Sequence, residues 1–259
     1  MSGPRVNYRV DGERGPWVTL VTGIANDTTL WNAQVPALLP QFRVLRYDLR
    51  GQGGSESTAP PYSIDVLVSD LVRLWDQLSI SKTHLIGLGL GGGIVQAAAA
   101  AHPDRLMSIM PVCCRAKMVP EFAAMWHTLI EKVKKEGVES IVEQTAQRWF
   151  SDDFKAKNPA VLDEVRSMIL RTSLDGYLGC VGAFLGMDVE EDLGKIRVPT
   201  HYLSGADDKV GGPPALMAGL AAKVPGARHA SVPGAAHIAN IQNPAGFNEL
   251  VVRFLREHS

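Results

Sequence analysis

The chain has 259 residues, of which 46% are hydrophobic and 20% are charged, with a formal net charge of −1. This composition is typical of a folded globular protein and excludes a chain that is disordered throughout. Because 26 basic residues balance 27 acidic ones, we expect no nucleic-acid partner and no anionic membrane partner. The length fits one large α/β domain with an insertion as well as it fits two domains.

The cysteines and the N-terminal segment bear on the compartment. MSGPRVNYRVDGERG lacks the apolar stretch and cleavage site of a signal peptide, and no apolar run reaches the roughly 18 residues that span a bilayer. Cys113, Cys114 and Cys180 are odd in number and form no Cys–His metal-ligand spacing. We therefore predict inert, reduced thiols in a cytoplasmic protein, with no metal and no organic cofactor.

Strands and helices alternate over the first part of the chain. Apolar runs bounded by turn residues predict strands over residues 5–10, 17–21, 42–47, 84–88 and 106–112. Helical spacing predicts helices over residues 30–39, from Ser63 to about residue 78, and over 93–102. This order predicts a parallel sheet with right-handed crossovers.

The pattern then changes to helices alone, from Met118 to about Gly194. Strands resume at residues 200–203 and 228–232, and a helix follows from Asn243. We therefore predict an α/β core made of residues 1–115 and 195–259, with a helical cap, residues 116–194, inserted into it.

A sharp strand–turn–helix corner is the most informative motif. Gly87-Leu88-Gly89-Leu90-Gly91 has the spacing of the nucleophile elbow, G-x-Ser-x-G, but the central residue is Gly89 instead of a nucleophile. A nucleotide-binding glycine turn fits less well, because Ile94 stands where the third glycine of GxGxxG would be.

An acid and a histidine follow the corner in the order expected for a hydrolase. Asp208 comes after a predicted strand, and His237 lies in a loop before the last helix. We predict that Asp208 orients His237 as a general base. The alternative is that Asp208 caps a turn and His237 is a surface residue.

Other candidate site residues are backbone donors and aromatic side chains. The backbone N–H groups of Ile24, after the second strand, and of Leu90, at the start of the corner helix, are predicted to form an oxyanion hole. An ordinary strand-ending turn is the alternative for the first of them. Trp126 and Trp149 are predicted to bind substrate, with cap packing as the alternative.

Several segments together resemble the 3-oxoadipate enol-lactonases of the α/β-hydrolase superfamily. They are VTGIANDTTLWNAQVPAL, FRVLRYDLRGQGGSE, the corner, RWFSDDF, SGADD and GAAHIANIQNP. The resemblance covers nearly the whole chain and implies an α/β-hydrolase fold, with a mostly parallel central sheet flanked by helices and an inserted helical cap. By position it puts the nucleophilic serine of the family at Gly89, the acid at Asp208 and the base at His237. Gln52 also departs from the histidine usual in D-x-R-G-H-G.

Three functions are compatible with glycine at the corner, and we rank them in this order. The first is hydrolysis of a small lactone or ester, either by direct water attack or in a form disabled by loss of the nucleophile. The second is a non-hydrolytic enzyme on the same fold: a C–C lyase, decarboxylase, isomerase or cofactor-free oxygenase. The third is a small-molecule binding protein without turnover.

Overall fold

The computed structural model describes residues 3–259 and has a seven-stranded sheet at its centre. The strands are β1 (Tyr8–Asp11), β2 (Trp17–Val21), β3 (Arg43–Tyr47), β4 (Thr83–Leu88), β5 (Leu106–Val112), β6 (His201–Gly205) and β7 (Arg228–Val232). Their order is β1-β3-β2-β4-β5-β6-β7. β1 is antiparallel to its neighbour β3, and the other neighbouring strands run parallel. The predicted α/β class with a mostly parallel sheet is therefore confirmed.

Helices follow or connect the strands. They are α1 (Val35–Leu38), α2 (Ile64–Gln77), α3 (Leu90–Ala101), α4 (Pro120–Glu136), α5 (Val142–Trp149), α6 (Asp152–Lys157), α7 (Pro159–Leu170), α8 (Leu174–Leu185), α9 (Pro214–Lys223), α10 (Ala239–Gln242) and α11 (Pro244–Glu257). Short 3-10 helices cover Thr28–Trp31, Pro103–Arg105, Val138–Ile141 and Glu190–Lys195. Within residues 3–259, none of the helices is long and apolar enough to cross a membrane.

Two elements near the N-terminus differ from the prediction. The strand expected at residues 5–10 begins only at Tyr8, because the backbone N–H groups of Arg5 and Asn7 donate to the side chains of Glu56 and Ser55 instead of to β3. The single helix expected at residues 30–39 is divided into the 3-10 helix Thr28–Trp31 and the short α1.

The division of that helix has a local cause. The Asp27 carboxylate accepts the backbone N–H of Thr29 and so starts a tight 3-10 turn. Pro36 lies in the first turn of α1, where its missing N–H costs nothing. Helical spacing of apolar residues does not distinguish this pair of short helices from one longer helix.

Helix α3 packs directly on the sheet after the sharp corner. Gly91 makes this possible, since a Cβ atom there would lie 2.6 Å from the carbonyl oxygens of Val21 and Thr22. The buried face of α3 includes Ile94, Val95 and Ala98. The close approach fixes the position of the N-terminus of α3 above the ends of β2 and β4.

Helices α4 to α8, which we call the inserted helices, lie in the chain between β5 and β6. Phe122 and Trp126 of α4 pack edge-on against Phe184 of α8, with ring centroids 6.3 and 5.4 Å apart. These contacts join two of the inserted helices above the sheet. The exact domain boundaries, at residues 115/116 and 194/195, stay a prediction.

Candidate active site

The loops that follow five strands converge on one cavity. Parallel strands present their carboxyl ends at the same edge of the sheet, which is where α/β proteins place their binding crevices. The lining includes Ile24 after β2, Gly89 after β4, Cys113 after β5 and His237 after β7. The centres of water molecules can occupy about 50 Å³ of this cavity. This volume is room for more than one water molecule.

Gly89 occupies the corner between β4 and α3 with φ +60° and ψ −118°. This conformation is strained for a residue with a side chain. The corner is held by two hydrogen bonds: the Gly89 N–H donates to the Val112 carbonyl, and the Gly92 N–H donates to the Gly89 carbonyl, both at 3.0 Å. The backbone therefore has the geometry of an elbow although the side chain is missing.

The space above Gly89 is open and faces a histidine. A Cβ atom at residue 89 would lie 3.9 Å from Nε2 of His237 and 4.0 Å from the Gly23 Cα atom, which are ordinary van der Waals distances. A small side chain or a water molecule therefore fits between the corner and His237.

Asp208 and His237 form a buried hydrogen-bonded pair. Nδ1 of His237 lies 3.0 Å from Oδ2 of Asp208. The Val210 N–H donates to Oδ1 of Asp208 at 2.7 Å, and the Gly212 N–H donates to Oδ2 at 3.0 Å. The carboxylate is thus fully engaged and fixes the orientation of the imidazole ring, leaving Nε2 directed toward the cavity.

The environment keeps Asp208 ionised. Burial alone would raise the pKa of this carboxyl, but the neighbouring His237 and the hydrogen bonds from His237, Val210 and Gly212 outweigh it and lower the pKa to about 2. At neutral pH a charged carboxylate therefore stabilises any imidazolium that forms at His237.

The loop that carries His237 is also held by the inserted helices. The Trp149 carbonyl, at the end of α5, accepts the backbone N–H of His237 at 3.1 Å and that of Ile238 at 3.3 Å. The sequence gives no signal for these contacts, because any residue type can supply a backbone carbonyl.

Ile24 and Leu90, the predicted oxyanion donors, both line the cavity. Within residues 3–259 neither backbone N–H donates to another group of the chain. The Gly23 N–H, by contrast, donates to Oδ1 of Asn26 at 3.2 Å. Leu90 is the first residue of α3, so its N–H also carries the partial positive charge of the helix N-terminus.

Gln52 supports the loop that contains Ile24. Its Oε1 accepts the Asn26 N–H at 3.1 Å, and its Nε2 donates to Sγ of Cys180 at 3.2 Å. Gln52 is completely buried. The sequence showed only that a histidine of the family pattern is replaced here, whereas the contacts place Gln52 directly behind the predicted oxyanion loop.

Trp126 and Trp149 lie in the cavity wall, as do the side chains of Arg115 and Arg148. Both tryptophans are buried, and each belongs to an inserted helix. They therefore both pack within the helical layer and line the cavity, and their binding of substrate stays a prediction. The two arginines were not among the residues that the sequence singled out.

Cys113 and Cys114 also border the cavity, and all three cysteines are free and buried. Burial raises the pKa of the Cys113 and Cys114 thiols well above the usual range, so both stay protonated at neutral pH. Cys113 adopts φ +44°, and its Sγ accepts the Gly205 N–H at 3.3 Å.

Cys113, Asp208 and His237 offer possible metal-ligand atoms within 4.8 Å of one another. A metal ion there would have to deprotonate the Cys113 thiol and replace the hydrogen bond between Asp208 and His237. The donor set therefore fits the hydrogen-bonded pair better than it fits a metal ion. That no cofactor is needed stays a prediction.

Comparison with known proteins shows the family to which the chain belongs. The sequence profile of the family described as "alpha/beta hydrolase fold" matches residues 16–244. The chain is 32% identical to 3-oxoadipate enol-lactonase 1 of Acinetobacter baylyi over 80% of this chain and 77% of that protein. It is 30% identical to RutD of Caulobacter sp. (strain K31), which is named as a carbamate hydrolase, over 92% of this chain and 90% of that one.

The solved structures give the same result for the fold. The enol-lactonase from Burkholderia xenovorans LB400 superimposes with a TM-score of 0.93 and 35% identity, covering 98% of this chain and 97% of that one. The expected α/β-hydrolase fold and the resemblance to enol-lactonases are both confirmed by these similarities.

Proposed function

Since the chain belongs to the alpha/beta hydrolase fold family, we propose that it hydrolyses a small lactone or ester. In this proposal His237 is the general base, Asp208 orients it, and the N–H groups of Ile24 and Leu90 form the oxyanion hole. Trp126 and Trp149 contact the substrate. The enzyme works in the cytoplasm on a small molecule and needs no metal or organic cofactor.

One observation carries the proposal: Nε2 of His237 faces the open space above Gly89, while Nδ1 is held by Asp208. A water molecule in that space lies between a base and the carbonyl carbon of a bound substrate. General-base activation of a positioned nucleophile contributes about 10²–10⁴-fold to a rate. No acyl-enzyme can form at residue 89, because glycine has no nucleophilic atom in its side chain.

The proposed reaction is therefore a direct water attack. His237 Nε2 takes a proton from water as the water oxygen bonds to the carbonyl carbon, and the carbonyl oxygen becomes an oxyanion facing Ile24 and Leu90. When the tetrahedral intermediate collapses, the C–O bond to the leaving group breaks. The imidazolium then returns its proton to the departing oxygen, and Asp208 stays a carboxylate throughout.

A carbon acid is the second candidate substrate, and the same open space favours it. With no side chain at residue 89, a C–H group of a bound ligand can reach Nε2 of His237 where water would otherwise sit. Proton abstraction there would start a lyase, decarboxylase, isomerase or oxygenase reaction. Binding without turnover is the third candidate, but it gives no role to the Asp208–His237 pair.

The test is turnover of an enol-lactone in water enriched in oxygen-18. We expect the heavy isotope to enter the product carboxylate, and we expect His237→Ala to lower kcat/KM by about 10²–10⁴-fold. His127→Ala is the matched control, because His127 is exposed on α4 and outside the cavity. Turnover that survives His237→Ala would overturn the role of this histidine, and a product without the isotope would support the carbon-acid reaction.

A further inference from the structure

Two buried amide side chains support the loop of residues 23–26, which contains Ile24 and follows β2. The Gly23 N–H donates to Oδ1 of Asn26 at 3.2 Å, which closes the loop around Ile24. The Asn26 N–H donates in turn to Oε1 of Gln52 at 3.1 Å. Asn26 is 1% exposed and Gln52 is completely buried, so solvent does not replace either bond when it is lost. The position of the loop therefore depends on the amide group of Gln52.

The loop needs this support because part of its backbone is strained. Ala25, between Ile24 and Asn26, has φ +58°, in the left-handed region that residues with a Cβ atom seldom adopt. Strained backbone persists only where the surrounding contacts hold it. The N–H that Gln52 holds belongs to the peptide unit directly after Ala25. Loss of that hydrogen bond would let the loop relax and turn the Ile24 N–H away from its present direction.

Gln52 also contacts α8, one of the inserted helices. Its Nε2 donates to Sγ of Cys180 on α8 at 3.2 Å. The backbone beside Gln52 is held by the start of the same helix, because the Gly51 carbonyl accepts the N–H of Ser173 at 3.0 Å and its hydroxyl at 2.8 Å. A Cβ atom at Gly51 would lie 2.3 Å from the Cα atom of Gly176, so the turn and the helix are in direct contact. Helix α8 therefore fixes both the backbone and the side chain of Gln52.

The amide group of Gln52 satisfies both neighbours in one orientation only. A backbone N–H can only donate, so the amide oxygen faces Asn26 and the amide nitrogen faces the sulfur. Burial raises the pKa of the Cys180 thiol to about 12, so the sulfur is neutral and a weak acceptor. An imidazole, as in the D-x-R-G-H-G pattern, would lose its acceptor nitrogen on protonation. The amide keeps its acceptor oxygen at acid pH as well.

We propose that Gln52 is a positioning residue that sets the direction of the Ile24 N–H through Asn26, and that it makes this direction depend on the position of α8. The inserted helices thus act on this loop as well as on the loop that carries His237. That the Ile24 N–H faces an oxyanion rests on the proposed hydrolysis, whereas the coupling of α8 to the loop does not. Because an oxyanion forms only during the reaction, the effect on catalysis falls on kcat and leaves KM unchanged.

The kinetic experiment measures kcat and KM for an enol-lactone in Gln52→Met, which keeps the length of the side chain but has no amide. Loss of one oxyanion donor costs about 10²–10³-fold in kcat, so a displaced donor should cost at least about tenfold, with KM changed by less than about twofold. Gln34→Met is the matched control. Gln34 is also buried, is hydrogen-bonded to Asn240 and lies outside the cavity. This variant should lose stability and keep kcat.

A second experiment follows the loop without turnover, through the amide signals of nitrogen-15-labelled protein. We expect Gln52→Met to shift the signals of Ile24 and Asn26. Hydrogen exchange of the Asn26 N–H, which loses its acceptor, should become faster, and the signal of Leu90 should stay in place. Cys180→Ala should shift the same two signals, because Gln52 loses its contact with α8. Cys180→Ser restores an acceptor and should return both signals toward those of the unchanged protein.

The proposal is overturned if Gln52→Met keeps kcat, if Gln34→Met loses kcat equally, or if Cys180→Ala leaves the signals of the loop unchanged. The Cys180 variants keep the test decisive where Gln52→Met does not fold. Failure of this proposal is distinct from failure of the hydrolytic one. Shifted signals in a protein without enol-lactone turnover would overturn hydrolysis alone, whereas turnover that Gln52→Met does not affect would overturn the positioning role alone.

Discussion

Position 89 combines an intact backbone with a missing side chain. The left-handed φ of Gly89, the open space beside it and the distance to His237 are those that a nucleophilic residue requires. Glycine adopts this conformation without strain, whereas a residue with a side chain is strained by about 1–3 kcal/mol. Stability and covalent catalysis therefore make opposite demands on this one residue.

The variant Gly89→Ser tests whether stability and covalent catalysis favour different residues at position 89. We expect the free energy of unfolding to fall by about 1–3 kcal/mol, because the serine is forced into the left-handed region. We also expect ester or lactone hydrolysis to increase, since the serine hydroxyl would face Nε2 of His237. Urea unfolding and kcat/KM measure the two effects.

Gly89→Ala is the matched control, because alanine carries the same strain without a hydroxyl group. It should lose as much stability as the serine variant and gain no activity. A serine variant that is more stable than the unchanged protein and remains inactive would show that residue 89 is not at a nucleophile elbow.

The sequence alone indicated several residues of the candidate site, but not every residue that lines the cavity. Asp208, His237 and Gly89 were visible because the order of elbow, acid and histidine is a pattern in the chain, and the structure brings these three residues together. Arg115 and Arg148 were not visible, because only the tertiary structure shows which arginines line the cavity.

At the level of elements, the junction of α3 with the sheet depends on glycine. Gly91 faces backbone atoms of β2, whereas Gly93 faces the sulfur of Met187. A backbone carbonyl cannot move without disturbing the sheet, but a methionine side chain can change its rotamer. Gly91 and Gly93 should therefore differ in how they tolerate a methyl group.

We expect Gly91→Ala to lower the free energy of unfolding by about 2–3 kcal/mol, through overpacking against the carbonyl oxygens of Val21 and Thr22. Gly93→Ala should change it by less than about 1 kcal/mol, because the helix propensity of alanine offsets the displacement of Met187. Thermal and urea unfolding test the pair, and equal losses in the two variants would contradict this explanation.

The alternation of elements was predictable from the sequence, but their ends were less so. Strands β2 and β5 have their predicted bounds, since each is a largely apolar run between turn residues. The failures at β1 and at the Thr28–Trp31 helix share one cause: side chains of Glu56, Ser55 and Asp27 take the backbone hydrogen bonds. Such competition depends on tertiary contacts and leaves no periodic signal.

For the whole molecule, buried histidines link stability to pH. His84 is completely buried, with Nδ1 2.7 Å from Oγ of Ser108, and burial lowers its pKa to about 4. In the unfolded chain its pKa is about 6.5. Between these values the unfolded state binds a proton that the folded state does not, so stability falls as the pH is lowered below about 6.5.

We expect His84 to contribute a loss of about 2 kcal/mol in the free energy of unfolding between neutral pH and about pH 5. His84→Gln should reduce the slope of stability against pH over this range, whereas His127→Gln, at an exposed position, should not. His201, whose pKa burial also lowers to about 4, retains part of the slope. Urea unfolding at a series of pH values measures the slope of stability against pH. An unchanged slope in His84→Gln would contradict the contribution assigned to His84.

The Trp149 carbonyl, which accepts the N–H groups of His237 and Ile238, has a consequence for how such enzymes diversify. The helix that lines the cavity thus also holds the loop that carries His237, the proposed base. Exchange of the inserted helices with those of a relative would therefore replace the cavity wall and this support together. The range of ligands and the reaction rate would then change together. A chimera that keeps this sheet but takes inserted helices from a relative would therefore have to preserve the hydrogen bonds from His237 and Ile238 to a carbonyl at the position of Trp149.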